Sequence, residues 1–366
     1  MRPSYALSVG GIDITGRIGG EVSELRLTDL DGFESDRLEI VLNNDGYQVL
    51  APSRDTIIAV SLGYEETGLV PKGLFKVDEV EFEEPPSVMR IRAKSAFVKD
   101  DGKTQRNRSY DKKNQKLSDV LGQIAGRLGL GLQLAPSLAN ESLQYWAQVN
   151  ESDFHTISRL ARRFDAIIKP ANGQLVAVKR GEGLSASGLA LGGVTITPEM
   201  CSTWRASFRE RPNHKGVEAQ YIDRQRPARV PVFVGGGQGT ATMRLPQVFP
   251  NEQEARRAAT SRQRELEREK GSFRATLVGT PELTQEVPIT CVGFPYPVAG
   301  EWNTKRVEHV MLGREKYTTE VEAEVKPGRD TGGGGEKRSS SSGSSGGGAA
   351  APSAQFESDF SGFRSQ

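Results

Sequence analysis

The chain has 366 residues, enough for two or three domains, and its 48 Lys and Arg against 47 Asp and Glu leave a formal net charge of +1, a balance that argues against a nucleic-acid-binding protein. Two cysteines, Cys201 and Cys291, are too few for a disulfide framework and read as small buried apolar residues of a reduced compartment. The N-terminus MRPSYALSVGG lacks the apolar core of a secretion signal, and no run approaches the roughly 20 apolar residues of a bilayer span, so the expectation is a soluble protein used without export or membrane insertion.

From residue 1 to about 100 the pattern is period 2. Tyr5, Leu7 and Val9 alternate with Ala6 and Ser8, and Gly10-Gly11 offers a hairpin turn into Ile12 and Ile14. Leu25 and Leu27, then Leu38, Ile40 and Leu42, then Ile58, Val60 and Leu62 repeat the alternation, each run implying one buried and one wet face. In GLFKVDEVEFEE the apolar parity slips by one between Phe75/Val77 and Val80/Phe82, which a β-bulge near Asp78-Glu79 absorbs. Pro85-Pro86 ends that strand before Met89, Ile91 and Ala93 begin another. Short strands at this spacing with no long helix between them indicate a barrel or sandwich.

Near Lys99 the character changes. A polar loop, KDDGKTQRNRSYDKKNQK, leads to Leu117, Val120, Leu121, Ile124 and Leu128, a helical stripe stopped by Gly129 and Gly131. The stretch Glu151–Arg180 reads as a second helix followed by a hairpin. Asn150 or Ser152 caps its start and Asp153 places an acid in the first turn. Phe154, Ile157, Leu160 and Phe164 form its apolar stripe. Arg159, Arg162 and Arg163 fall off that stripe, Lys169-Pro170 breaks the pattern, and Asn172-Gly173 signals a two-residue type I′ turn. Residues 101–200 thus read as a small α+β domain of two helices and several strands.

From Cys201 the period of two returns: Trp204, Ala206 and Phe208, then Val217, Ala219 and Tyr221. Arg226–Pro250, rich in Pro and Gly, is expected to be a long loop. Asn251 caps a surface helix over 251–270 whose apolar residues are alanines plus Leu266. Strands follow over 273–278, 287–292, 305–312 and 317–325, the last with Thr319, Val321 and Ala323 against Glu320, Glu322 and Glu324. Beyond Pro327 the Gly/Ser-rich tail over 328–366 cannot bury enough to offset its ordering entropy and is expected to be disordered. Its last residues carry Phe356, Phe360 and Phe363 at roughly helical spacing, a tethered aromatic motif that can dock on a partner.

No catalytic, cofactor-binding or metal-binding constellation emerges. The three histidines His155, His214 and His309 fall in no HExxH or paired spacing, and CxxC is absent. GGGQGT at 235–240 lacks the Lys-Ser/Thr of a phosphate-binding loop. Glu65-Glu66 and Glu83-Glu84 are adjacent on strands, point to opposite faces, and read as solvated edge charges.

Four stretches in order carry a family resemblance: SDRLEIVLNND at 35–45; ESDFHTISRLARRFDAIIKPANGQLVAVKRG from 151; NEQEARRAATSRQRELEREKGSFRATLVGTPEL from 251; and EWNTKRVEHVMLGREKYTTEVEAEV from 301. The arrangement resembles the late control protein D family of contractile-tailed phages, tail or baseplate hub proteins related to the hub portion of type VI secretion spike proteins. Asp165-Ala166 departs from it, since relatives commonly place a glycine at that helix exit; so do Asn303-Thr304, in the closing segment, and Glu286-Val287.

The resemblance implies a mainly β protein with α+β, two tube-type β-barrel domains flanking a small α+β domain: 1–100 the first barrel, 101–200 the middle domain with the apolar stripe of its helix buried between the barrels, and 201–327 the second barrel carrying the 251–270 helix, which can pack back on the middle domain. It implies a structural, non-enzymatic homotrimer in the virion tail, assembled in the host cytoplasm, joining a sixfold tube protein to a threefold spike protein and contacting the tape-measure protein, with no cofactor. Glu320, Glu322 and Glu324 are then candidate channel-facing acids that repel passing DNA, and Arg159, Arg162 and Arg163 belong to solvent or a neighbouring subunit. The alternatives are a tail-associated cell-wall hydrolase, which needs two positioned carboxylates, and a nucleic-acid-binding late regulator.

Overall fold

The period-2 runs of the first hundred residues become strands where the alternation places them. A computed structural model describes residues 1–30, 36–95, 100–111, 115–143, 145–209, 214–223, 225, 228–235 and 240–329. β1 (Pro3–Val9) turns at Gly10 and Gly11, both at positive φ (58° and 81°), into β2 (Ile12–Asp13) and the single turn α1 (Thr15–Ile18). β3 (Val22–Asp29), β4 (Arg37–Asn43), β5 (Ile57–Tyr64), β6 (Gly68–Glu83) and β7 (Val88–Lys94) follow, paired in the order β3-β4-β7-β6-β5-β1. Their inward residues, among them Leu7, Leu25, Leu42, Leu62 and Phe75, fill one core. The parity slip in β6 is a bulge: Val77 faces Ala93 of β7 and Glu79 faces Arg92, so Asp78 is the extra residue.

The middle of the chain folds as α+β. β8 (Gln105–Tyr110) pairs antiparallel with β10 (Trp146–Ser152), and α2 (Leu117–Leu128), β9 (Gly131–Leu134) and α3 (Pro136–Ala139) lie between them in sequence. Gly129 closes α2 in the left-handed conformation, φ 73°. α4 (Asp153–Phe164) starts at Ser152, whose Oγ accepts the His155 N–H at 3.1 Å, which decides between the two candidate caps. β11 (Ala166–Ala171) and β12 (Gln174–Lys179) form the expected hairpin, with Asn172 and Gly173 both at positive φ (48° and 75°). β12 then pairs parallel with β9. Ile157, Leu160 and Phe164 of α4 are buried against Leu121, Ile124 and Leu128 of α2 and Ile168 of β11. The stripe therefore does not lie between two barrels. It fills a core of its own, with apolar residues supplied by α2 and the hairpin.

β13 (Val194–Ile196) and β14 (Cys201–Phe208) begin the second β half, which continues in β18 (Gly271–Val278), β19 (Pro288–Cys291), β20 (Gly300–Leu312) and β21 (Lys316–Val325) around Trp302, Phe273 and Val307; the segment between β14 and β18 forms β15 (His214–Asp223), β16 (Ala228–Gly235), β17 (Ala241–Phe249) and α5 (Glu252–Arg268). Residues 228–235 and 241–249, expected to lie in a long loop over 226–250, are thus two strands. Pro231 and Pro246 fit in strands here because in the order β16-β15-β17 both strands are edges, where a missing N–H is tolerated. Ala255, Ala259 and Leu266 of α5 are buried on this small sheet with Val217, Ala219 and Phe249. The other flank of α5 faces α4, so the helix is covered on two sides.

β20 connects the two halves. Gly300–Asn303 pairs with β19, Val307–Leu312 pairs with Asp29–Glu24 of β3, and β21 runs along its opposite edge. Among the described residues this makes one 13-stranded sheet through both β halves.

Candidate functional site

Three parts of the chain meet at Asp29. It ends β3, where the strand leaves the sheet, and its Oδ1 accepts from Lys169 Nζ of β11 at 2.7 Å. Its Oδ2 accepts the Gln285 N–H, from the segment before β19, at 2.7 Å. The same ammonium reaches Asp36 at 3.1 Å, just ahead of β4. All three side chains are largely buried. Burial pushes the Asp36 carboxyl up to about 7, with the Asp29 charge adding and Lys169 opposing. Burial works to raise Asp29 as well, but the Lys169 charge and the N–H donors outweigh it and hold it below the ordinary range. Lys169 stays charged, because the two carboxylates outweigh its desolvation. Pairing of this kind is what keeps a buried charge tolerable.

A second grip lies beside it. Lys72 of β6 donates to the carbonyls of Pro281 and Leu283, and Tyr64 of β5 donates to Gly279 O at 2.7 Å. Burial pulls Lys72 down to about 8, against the charges of Asp29 and Glu282. His309 of β20 is wholly buried here. Its Nε2 lies 3.0 Å from Leu283 O and therefore carries the proton, while Nδ1 meets Tyr317 Oη at 2.9 Å and Thr319 Oγ1 at 3.1 Å. Burial, then the Lys72 charge, depresses its pKa to about 3, so it is a neutral structural group. Lys72 and Tyr64 thus join the first β half to the second, Lys169 joins the middle module to the first, and His309 braces the Leu283 segment within the second half.

The helix exit at Asp165 is the third locus. Asp165 is left-handed (φ 51°, ψ 49°) and caps α4 where the resemblance led us to expect glycine. Arg268 of α5 meets its carboxylate with two nitrogens, at 2.6 and 3.2 Å, and forms an ion pair with Glu324 through Nε at 3.2 Å. Arg264 adds a longer contact of 3.6 Å. A cavity of about 560 Å³ opens alongside, lined by Asp165, Arg180, Arg209, Arg268, Lys305 and Glu324 among others.

The candidate acids of β21 diverge in surroundings. Glu324 is mostly covered and held by Arg268, Glu322 pairs with Arg274 at 2.9 Å, and Glu320 is exposed. Of the α4 arginines assigned to solvent or another subunit, Arg163 instead pairs within the chain with Glu254 of α5, and Arg159 pairs with Glu151 at 2.7 Å. Arg162 is exposed. Phe356, Phe360 and Phe363 lie outside the described residues.

Residues weighed for chemistry serve local structure. His155 is exposed and 3.6 Å from Glu151. Glu66 accepts the Arg2 N–H at 2.9 and 3.0 Å, and Glu84 accepts from the Tyr47 hydroxyl. Cys201 and Cys291 are free thiols, and burial pushes Cys291 up to about 12, far from thiolate reactivity. Among the described residues no cluster of three or more His, Cys, Asp or Glu could hold a metal. No helix among them is long and apolar enough to cross a membrane.

Residues 78–312 match the family model described as phage tail baseplate hub (GPD). Over 366 aligned positions the chain is 30% identical to the "Probable baseplate hub protein" of Escherichia phage P2, covering 89% of this chain and 94% of that one. In fold it is similar to the 43 kDa tail protein of prophage MuSo2 from Shewanella oneidensis, with a TM-score of 0.63 at 14% identity over 89% of this chain and 98% of the other. It is also similar to a component of the Escherichia coli type VI secretion system, with a TM-score of 0.54 at 10% identity over 88% and 79%. At such identities the two structural likenesses bear on fold alone.

Proposed function

The chain belongs to the phage tail baseplate hub family, and from that premise we propose that it acts as a homotrimer in which each subunit supplies two tube-type β-barrels, so that three subunits form a pseudo-sixfold ring. Its role is structural: it is a hub of the phage tail baseplate and a component of the virion. In our reading the ring joins the sixfold tail tube above to the threefold spike below and contacts the tape-measure protein, without catalysing a reaction.

The observation that carries the reading is β20. One strand hydrogen-bonded to β19 and β3 on one edge and to β21 on the other puts two β halves in one continuous sheet, which in our reading stiffens them as one body. An adaptor that transmits load between tube and spike needs that rigidity, and a hydrolase or a DNA-binding regulator does not. The division into barrels at 1–100 and 201–327 around a 101–200 module is part of the proposal, with β15–β17 and α5 as an insertion in the second barrel. So is the assignment of Glu320 and its neighbours Glu322 and Glu324 to the channel wall, for which the exposure of Glu320 is the support. Phe356, Phe360 and Phe363 are proposed as a docking motif for another tail protein.

Analytical ultracentrifugation tests the assembly. A species of about three times 39.8 kDa supports it. A strictly monomeric or dimeric chain at every concentration contradicts it. Purified protein is expected to leave peptidoglycan intact in a gel, and clearing there would replace the structural reading with the hydrolase.

A further inference from the structure

A second cavity, of about 470 Å³, lies between α4, α5 and the end of β17 and shares Arg162, Ser261 and Glu265 with the lining of the Asp165 cleft. Trp146, only 6% exposed, contributes to its lining. The guanidinium of Arg159 sits 4.3 Å over its ring and that of Arg163 lies 5.5 Å from it, with Arg163 also 5.6 Å from Phe249. Leu245 and Pro246 add an apolar wall, and Arg162 and Arg262 complete the charge.

Donors dominate the incomplete hydrogen bonding here, although Glu254 Oε1, on the carboxylate beside Arg163, is also a buried acceptor with no partner among the described residues. Trp146 Nε1, Arg159 Nε and Arg163 Nε are buried donors with no acceptor among the described residues. Buried donors left unpaired are costly, at about 1–3 kcal/mol each, and three on adjoining side chains are unusual for a surface meant to stay empty. The charges agree. Arg159 pairs with Glu151, Arg262 with Glu265, and Arg163 with Glu254, but Arg162 has no carboxylate partner among the described residues. Burial lowers the Arg163 pKa, and its neighbours Arg257 and Arg159 lower it further against the pull of Glu254. With Arg162 unmatched, the four arginines outnumber the three carboxylates named here by one.

We propose that the cleft docks an acidic peptide segment of a partner protein, seating one carboxylate among Arg159, Arg162, Arg163 and the Trp146 N–H, with a neighbouring apolar side chain against Leu245, Pro246 and Phe249. A carboxylate supplies two acceptor oxygens in the geometry guanidinium groups match. A nucleic-acid strand fits less well. Half-exposed Glu265 opposes further phosphates, and a net charge of +1 offers little long-range attraction. The proposal stands on the cleft alone and does not depend on the trimer.

The test is fluorescence anisotropy with the full chain and a labelled peptide Gly-Phe-Glu-Asp-Phe-Gly, compared with its Gln/Asn counterpart and with a labelled single-stranded DNA of similar length. The acidic peptide is expected to bind with Kd below about 1 mM, and the uncharged one at least about tenfold more weakly. Arg162→Ala, at an exposed position, should weaken acidic-peptide binding several-fold without moving the melting temperature. Arg163→Gln alone leaves Glu254 buried and unpaired, so the double variant Arg163→Gln/Glu254→Gln is the folded control for that side chain and should also weaken binding. Tighter binding of the DNA, equal binding of the uncharged peptide, full affinity in both variants, or no binding of the acidic peptide each overturns the proposal.

Discussion

A non-glycine residue in the left-handed region costs about 1–2 kcal/mol, less for Asp or Asn, whose short side chains bond locally. Asp165 accepts that cost and gains a contact glycine cannot make, since its buried carboxylate is the anchor for Arg268. Asp165→Ala is therefore expected to lose both backbone fit and ion pair, destabilising the chain by about 3–5 kcal/mol. Asp165→Gly should lose the pair but recover about 1 kcal/mol of backbone strain relative to alanine. Urea unfolding midpoints rank the two, and equal midpoints would remove the left-handed argument. The sequence marked this position only as a departure at a helix exit; the partner, 103 residues away, left no local signal. Lys169 was equally opaque. It read as a pattern breaker beside Pro170, because Asp29 and Asp36 are 140 and 133 residues distant. Asp36 carries a pH prediction. Its native carboxyl keeps a proton up to about pH 7, whereas the unfolded one releases it near its ordinary 3.8. The native state then binds more protons in that window, so stability falls as pH rises from about 4 to 7, by at most roughly 4 kcal/mol. Asp29, held low, has the opposite sign and acts at lower pH. In Asp36→Asn the slope between pH 4 and 7 should flatten, as followed by denaturant midpoints. An unchanged slope would show that Asp36 ionises normally in the folded chain.

At the scale of elements, local rules worked wherever one strand or helix decided its own face. The Gly10-Gly11 hairpin, the bulge after Val77, the α2 and α4 stripes and the Asn172-Gly173 turn were all legible, because sterics and a period of 2 or 3.6 are local properties. β16 and β17 were not, because an edge strand tolerates the prolines that argue against a central one. Nor was the double pairing of β20, since which strands neighbour it is settled by the whole sheet. Val310 lies where β20 is flanked by Arg26 of β3 and Thr318 of β21. Val310→Pro removes an N–H from a strand bonded on both sides and is expected to cost about 3 kcal/mol or more. Circular dichroism melting should register that loss as destabilisation of both β halves together. Melting of the second half alone would mean that β20 does not couple them.

Across the molecule, four apolar cores are bound together by one shared sheet, the Lys169–Asp29–Asp36 pairing and the α4–α5 contacts. Glu151–Arg180, a generic amphipathic helix and hairpin in sequence, contributes to two of these ties, through Lys169 and through Arg163. Family membership was legible from four ordered motifs before any coordinate. The homotrimer entered only through the resemblance, because no period or spacing within one chain encodes its partners. In the proposed ring, three chains present six β-barrels. Cryo-electron microscopy of the purified chain, alone and with its tube and spike proteins, examines this most directly. The account predicts a threefold ring with two similar barrels per subunit and a pseudo-sixfold face toward the tube; a chain that stays monomeric even with both partners present would contradict it.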